Sequence, residues 1–175
     1  IGNSAPAPLF TVVAGPSPEA RQIGEQKEEL AERHILRRAF WTELLAQAKE
    51  KTQLHARIAP STGNWISAGA GKGGIAYNYV IRMEDAQVEL YIGRDSAEEN
   101  KRLFDALLAH KVDIETAFGE PLEWQRLDER QACRIRYVLE GGLKDREHWP
   151  NLQKRMIEVM TQLERALKPE IQRLK

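Results

Sequence analysis

The chain has 175 residues, 42% hydrophobic and 30% charged, enough for one domain with a sizeable core, too few for two comfortable ones, and not the composition of a disordered polymer. Lysine plus arginine and aspartate plus glutamate each number 26, so the formal net charge is zero; this excludes a binder that works through an overall basic excess and leaves nucleic-acid contact to a local patch. No apolar run approaches the ~20 residues of a membrane span, and the single cysteine, Cys133, excludes an internal disulfide and a cysteine-built zinc site.

Residues 1–24 are expected to form a linker or a docked N-terminal segment, and 25–175 a single α+β domain. Pro6, Pro8, Pro16 and Pro18 are four of the eight prolines and mix with Ala, Ser and Gly, which is linker composition. Leu9, Phe10, Val12 and Val13 interrupt it and offer a short stretch that could dock as an added strand. The composition leads us to expect that further chain precedes Ile1.

From about Gln26 to Lys51 the pattern is helical. Leu36, Phe40, Leu44 and Ala48 recur every four residues with Trp41 and Leu45 beside them, opposite a charged face. Pro60, Gly63 and the glycine-rich stretch 69–74 break the helix, with Trp65-Ile66-Ser67 as a possible short strand. Ile75, Tyr77, Tyr79 and Ile81 then alternate, Glu84-Asp85 makes a polar turn, and Val88, Leu90 and Ile92 alternate again. That spacing predicts two antiparallel strands with one face buried and one wet. Ser96 with Glu99 reads as a capping box that opens a helix carrying Leu103, Phe104, Leu107 and Leu108. Ile114 and Phe118 predict a second short helix, stopped by Gly119 and Pro121. Leu122 and Trp124, then Ile135, Tyr137 and Leu139, predict a hairpin of two strands. A last helix is expected over Asp145 to Leu167, with Pro150 in its first turn and Pro169 ending or kinking it. Strands cluster without regular βαβ alternation, so the expected fold is an antiparallel sheet of about five strands with helices on one face and long helices at both ends.

Few constellations carry chemistry. Gly69-Ala-Gly71-Lys72-Gly73-Gly74 matches a phosphate-loop spelling, but that chemistry needs a helix to follow the glycines, and here a strand pattern follows. A hairpin-type loop is the expectation, with phosphate contact through Lys72 as the alternative. No two of His34, His55, His110 and His148 have the spacing of a helical metal pair. Glu99-Asn100-Lys101 resembles part of a nuclease carboxylate–lysine motif, yet it falls in a capped helix, and Tyr91 stands where Glu89 would need a lysine. No catalytic residue, metal ligand or cofactor is assigned. Trp41, Trp124 and Trp149 read as core anchors, and Trp65, beside the glycine loop, is the tryptophan expected at the surface. Cys133 is expected as a buried, inert thiol. A cytoplasmic location is expected from the lone thiol and the lack of a charged-then-apolar leader at Ile1. Strand parity gathers Asn78, Arg82, Glu89, Tyr91, Arg134 and Arg136 on the outer face of the sheet. Lys72, Arg82, Tyr91, Arg134 and Arg136 are the candidate nucleic-acid contacts, acting chiefly on phosphates; Glu89 and Glu140 offset part of that charge.

The order Phe40-Trp41, Trp65-Ile66, Val88-Glu-Leu-Tyr-Ile92, Asn100-Lys101, Ile114-Glu115, Phe118-Gly119, Leu122, Trp124 and Trp149 resembles a prokaryotic domain of unknown function, over about residues 34–174. That domain commonly stands C-terminal to restriction-endonuclease-like nuclease domains. The resemblance implies a DNA-processing or defence-related setting and an upstream nuclease-like domain in the same polypeptide; it supplies no catalytic residue. The expected function is therefore a non-catalytic accessory domain that binds nucleic acid or regulates that nuclease. The alternative is a homodimerisation or protein-interaction module built on the long helices. No membrane partner is expected.

Overall fold

The computed structural model describes residues 17–174, so the docking expectation for Leu9 to Val13 lies outside the described residues. The chain divides into two units, residues 1–32 and 33–175. Helix α1 (Pro18–Lys49) begins in the first. Ser17 Oγ accepts from Ala20 N at 3.2 Å and Pro18 takes the first helical position, where its missing N–H costs nothing. Residues 18–24, expected within the linker or docked segment, are helical. Composition pointed to proline as a breaker, whereas the local sequence Ser-Pro-Glu is a helix start.

In the second unit, β1 (Trp65–Gly69), β2 (Ile75–Ile81) and β3 (Asp85–Ile92) form a meander; α2 (Ala97–Leu108) and α3 (Lys111–Phe118) follow, then β4 (Glu123–Gln125), β5 (Cys133–Glu140) and α4 (Trp149–Arg173). The strands make one antiparallel sheet in the order β1-β2-β3-β5-β4. The fold is α+β, with helices on one sheet face. The predicted alternation decides which face: Tyr77, Tyr79, Val88, Leu90, Cys133 and Ile135 are all buried among the helices. Ser96 Oγ accepts from Glu99 N at 3.2 Å to open α2. Phe40 and Trp149 meet edge-on with centroids 5.3 Å apart, joining the later half of α1 to α4. Trp41, fully buried, donates Nε1–H to the Gly63 carbonyl at 2.8 Å and so ties that helix to the approach to β1.

α4 does not end at Leu167. It runs through Pro169 to Arg173. Proline removes one helical hydrogen bond and disfavours the helix, but Ile171 beyond it is buried in the core, and Lys72 donates to the carbonyl of Leu174 at the helix end. Tertiary contacts on both sides of the proline hold the last turn.

Candidate nucleic-acid interface

The glycine stretch is the β1–β2 hairpin, not a strand-to-helix phosphate loop. Gly71 and Gly74 take positive φ, 83° and 75°, a region costly for residues with a Cβ. A Cβ on Gly74 would stand 2.4 Å from Arg94 Cγ. Lys72 donates to the Leu174 carbonyl, so its ammonium is engaged at the end of α4.

Tyr91, Arg134 and Arg136 stand on the outer face, and Arg82, expected at the end of β2, lies in the turn between β2 and β3. Register places Ser67, Asn78, Glu89, Arg136 and Glu123 in one row across all five strands. Gly69, Ala76, Tyr91, Arg134 and Gln125 form the next row, and Trp65, Val80, Gln87 and Val138 the row on the opposite side. Two of the arginines are bound to carboxylates. Arg82 Nε donates to Asp85 Oδ1 at 2.9 Å, and Arg136 gives Nε to Glu123 Oε2 at 2.7 Å and Nη1 to Gln87 Oε1 at 3.1 Å. A phosphate would have to compete with each of these anions.

Arg134 differs. Its Nη1 lies 3.7 Å from Glu89 Oε2, near enough for attraction and too far for a hydrogen bond. Glu89 Oε1 accepts from Asn78 Nδ2 at 3.0 Å. Asn78 Oδ1, Glu89 Oε2 and Arg134 Nε are buried and have no hydrogen-bond partner. Asn78 and Glu89 are only 6% and 4% exposed although they belong to the wet face. An unpaired buried polar atom costs about 1–3 kcal/mol, so three in one place call for an explanation.

These residues line a trough of about 430 Å³ with Asn64, Trp65, Ser67, Val80 and Tyr91. Trp65 is 57% exposed, as its place beside the glycine loop suggested, and is the large ring offered to solvent there. The Tyr91 ring lies over Gly93, where a Cβ would come within 2.3 Å of Cε1. Ser67 and Tyr91 also border the glycine hairpin hollow, so the two depressions adjoin.

Two neighbouring residues have a role that sequence reasoning missed. Asn100 and Lys101 anchor the loop between β4 and β5. Asn100, fully buried, receives Arg94 N at 2.8 Å and donates to Arg94 O and Gln131 O at 3.0 Å each. The Lys101 ammonium reaches the carbonyls of Arg126, Leu127, Arg130 and Ala132 at 2.6, 2.8, 2.8 and 3.3 Å. Their adjacency to the capping box was visible, but nothing local named the loop they hold. Cys133 Sγ also lies 3.4 Å from Lys101 Nζ; burial raises the thiol pKa while the ammonium lowers it, and the net direction is upward. Cys133 is buried, as expected.

Among the described residues no group of three His, Cys, Asp or Glu side chains is arranged to hold a metal ion, and no helix is long and apolar enough to cross a membrane. Over residues 36–171 the chain matches the family described as Domain of unknown function (DUF4268). The chain belongs to that family. The DUF4268 match takes in all five strands and α2, α3 and most of α4, so the sheet with its trough lies within the family unit. No curated protein and no solved structure matches the chain.

Proposed function

We propose that this DUF4268 domain is a non-catalytic accessory module of a DNA-processing protein, and that it binds single-stranded nucleic acid on the outer face of its sheet. The observation that carries the reading is the trough itself, where an exposed tryptophan stands beside Asn78, Glu89 and Arg134 with unpartnered atoms. A duplex backbone asks for free cations, and here Arg82 and Arg136 are neutralised by neighbours. An unstacked base asks for an aromatic platform and polar atoms for its edge, which is what a sheet face with exposed rings provides. In this setting the domain holds a displaced strand for a nuclease domain carried in the same polypeptide.

Titration of the chain with labelled single-stranded and duplex oligonucleotides at two salt concentrations tests this. The single strand is expected to bind more tightly, with affinity falling as salt rises. Trp65→Ala is expected to remove about 1–3 kcal/mol of binding, the usual worth of one stacked base. Failure of every oligonucleotide to bind ends the proposal. The row Trp65, Val80 and Val138, with Trp65 and Val138 exposed, favours one second reading, a self-association face. A dimer that dissociates on Trp65→Ala, without oligonucleotide binding, would establish that reading instead.

A further inference from the structure

The trough also has a donor–acceptor order, and this inference rests on the single-strand reading above. Strands β2, β3 and β5 are consecutive neighbours and contribute Asn78, Glu89 and Arg134 in that order. Their unpartnered atoms run acceptor, acceptor, donor: Asn78 Oδ1, Glu89 Oε2, Arg134 Nε. The Asn78 amide is oriented by its own Nδ2 donation to Glu89 Oε1, which turns Oδ1 into the free acceptor.

We propose that the trough takes the Watson–Crick edge of an unstacked guanine. Guanine presents N2–H, N1–H and O6, a donor, donor, acceptor series that complements all three atoms. Cytosine presents donor, acceptor, acceptor and sets its N3 against Glu89. Adenine sets N1 against the same carboxylate. Thymine and uracil open with an acceptor that meets Asn78 Oδ1. An acceptor held against a buried carboxylate is repelled, whereas an N–H held there makes a charge-assisted bond. The Arg134 side chain is 29% exposed and its Nη1 stands 3.7 Å from Glu89 Oε2, with no hydrogen bond between them to break. Trp65 and Tyr91 border the same trough and supply ring faces. The volume of about 430 Å³ lies in the range of small-ligand sites.

The guanine could belong to a strand or to a free nucleotide, and the experiment separates them. Fluorescence anisotropy of the full chain is measured with oligothymidine, with the same strand carrying one central guanine, and with inosine in that position. Deoxyguanosine monophosphate is added as a competitor. One guanine is expected to raise affinity roughly 10- to 100-fold. Inosine, which lacks the N2 amino group, is expected to lose roughly tenfold of that gain. Glu89→Gln, which keeps the side-chain shape, is expected to abolish the preference for the guanine-bearing strand over oligothymidine. Equal affinity for the thymidine and guanine strands overturns the guanine assignment and leaves the single-strand reading standing. Binding of the free nucleotide alone supports the guanine site and sinks the strand reading. No binding of either probe overturns both.

Discussion

Lys101→Met is expected to cost about 3–5 kcal/mol of folding stability, as removal of a buried, fully engaged charge usually does. For a chain of this length that lowers the thermal midpoint by roughly 6–20 °C. Lys101 is 9% exposed, and its ammonium replaces water for four backbone carbonyls at once. Three protons serve four oxygens, so the bonds are shared and the loop converges on one point. Methionine preserves length and apolar packing but leaves those carbonyls without a donor. The loop also contains Leu127 at φ 53°, a left-handed conformation that costs a residue with a Cβ about 1–2 kcal/mol. Urea unfolding with an unchanged m-value checks the prediction; a loss below about 1 kcal/mol would mean the loop is held by other contacts.

Stability is expected to fall by about 2 kcal/mol between pH 7 and pH 5 through His55 alone, and by about 3 kcal/mol at pH 4. His55 is 1% exposed. Its Nε2 donates to the Tyr77 carbonyl at 3.2 Å, which assigns the proton to Nε2 and leaves Nδ1 bare and unpartnered. Burial drives its pKa down to about 4 from an ordinary 6.5, against the upward pull of the carbonyl bond. The folded state therefore prefers the neutral ring. The stabilisation is complete above the unfolded pKa and is lost as pH falls from 6.5 toward 4. The groups around it do not offer relief. The Tyr79 ring lies 4.6 Å away, and the Tyr77 and Tyr79 hydroxyls are buried without partners, their pKa values pushed up by burial and by the charge of Glu164. Asp105 is held below its ordinary value by its Arg126 hydrogen bond, and Glu115, against the upward push of burial, is held below its own by bonds from Leu122 N and Trp124 Nε1. His148 beside Asp145 has a raised pKa and the opposite sign, but it is exposed and screened. Denaturant unfolding of the natural chain and of His55→Leu at pH 7 and pH 5 isolates the term. Parallel losses in the two proteins would remove His55 as the cause.

Much of the sheet was legible residue by residue. The alternation Ile75, Tyr77, Tyr79, Ile81 and its echo at Val88, Leu90, Ile92 named the buried face correctly. The same parity put Arg134, Arg136, Glu89 and Tyr91 on the other face. Ser96 announced α2, and Trp65 beside glycines announced an exposed ring. Two local signals were outweighed: proline composition hid the Ser17-Pro18 helix start, and Pro169 suggested an end or kink where α4 continues.

The sequence by itself determined what depends on near neighbours along the chain: strand parity, caps, turns and the stripes of the long helices. Only the tertiary structure decided which charges are spoken for. β3 pairs with β5 across two intervening helices, and that pairing brings Glu89 beside Arg134, gives Arg136 to Glu123 and Gln87, and points Lys101 into a loop 25 to 31 residues later. Side-chain period is a local property of the backbone, whereas the partner of a polar atom is set by distance in space, and a sequence records only the first.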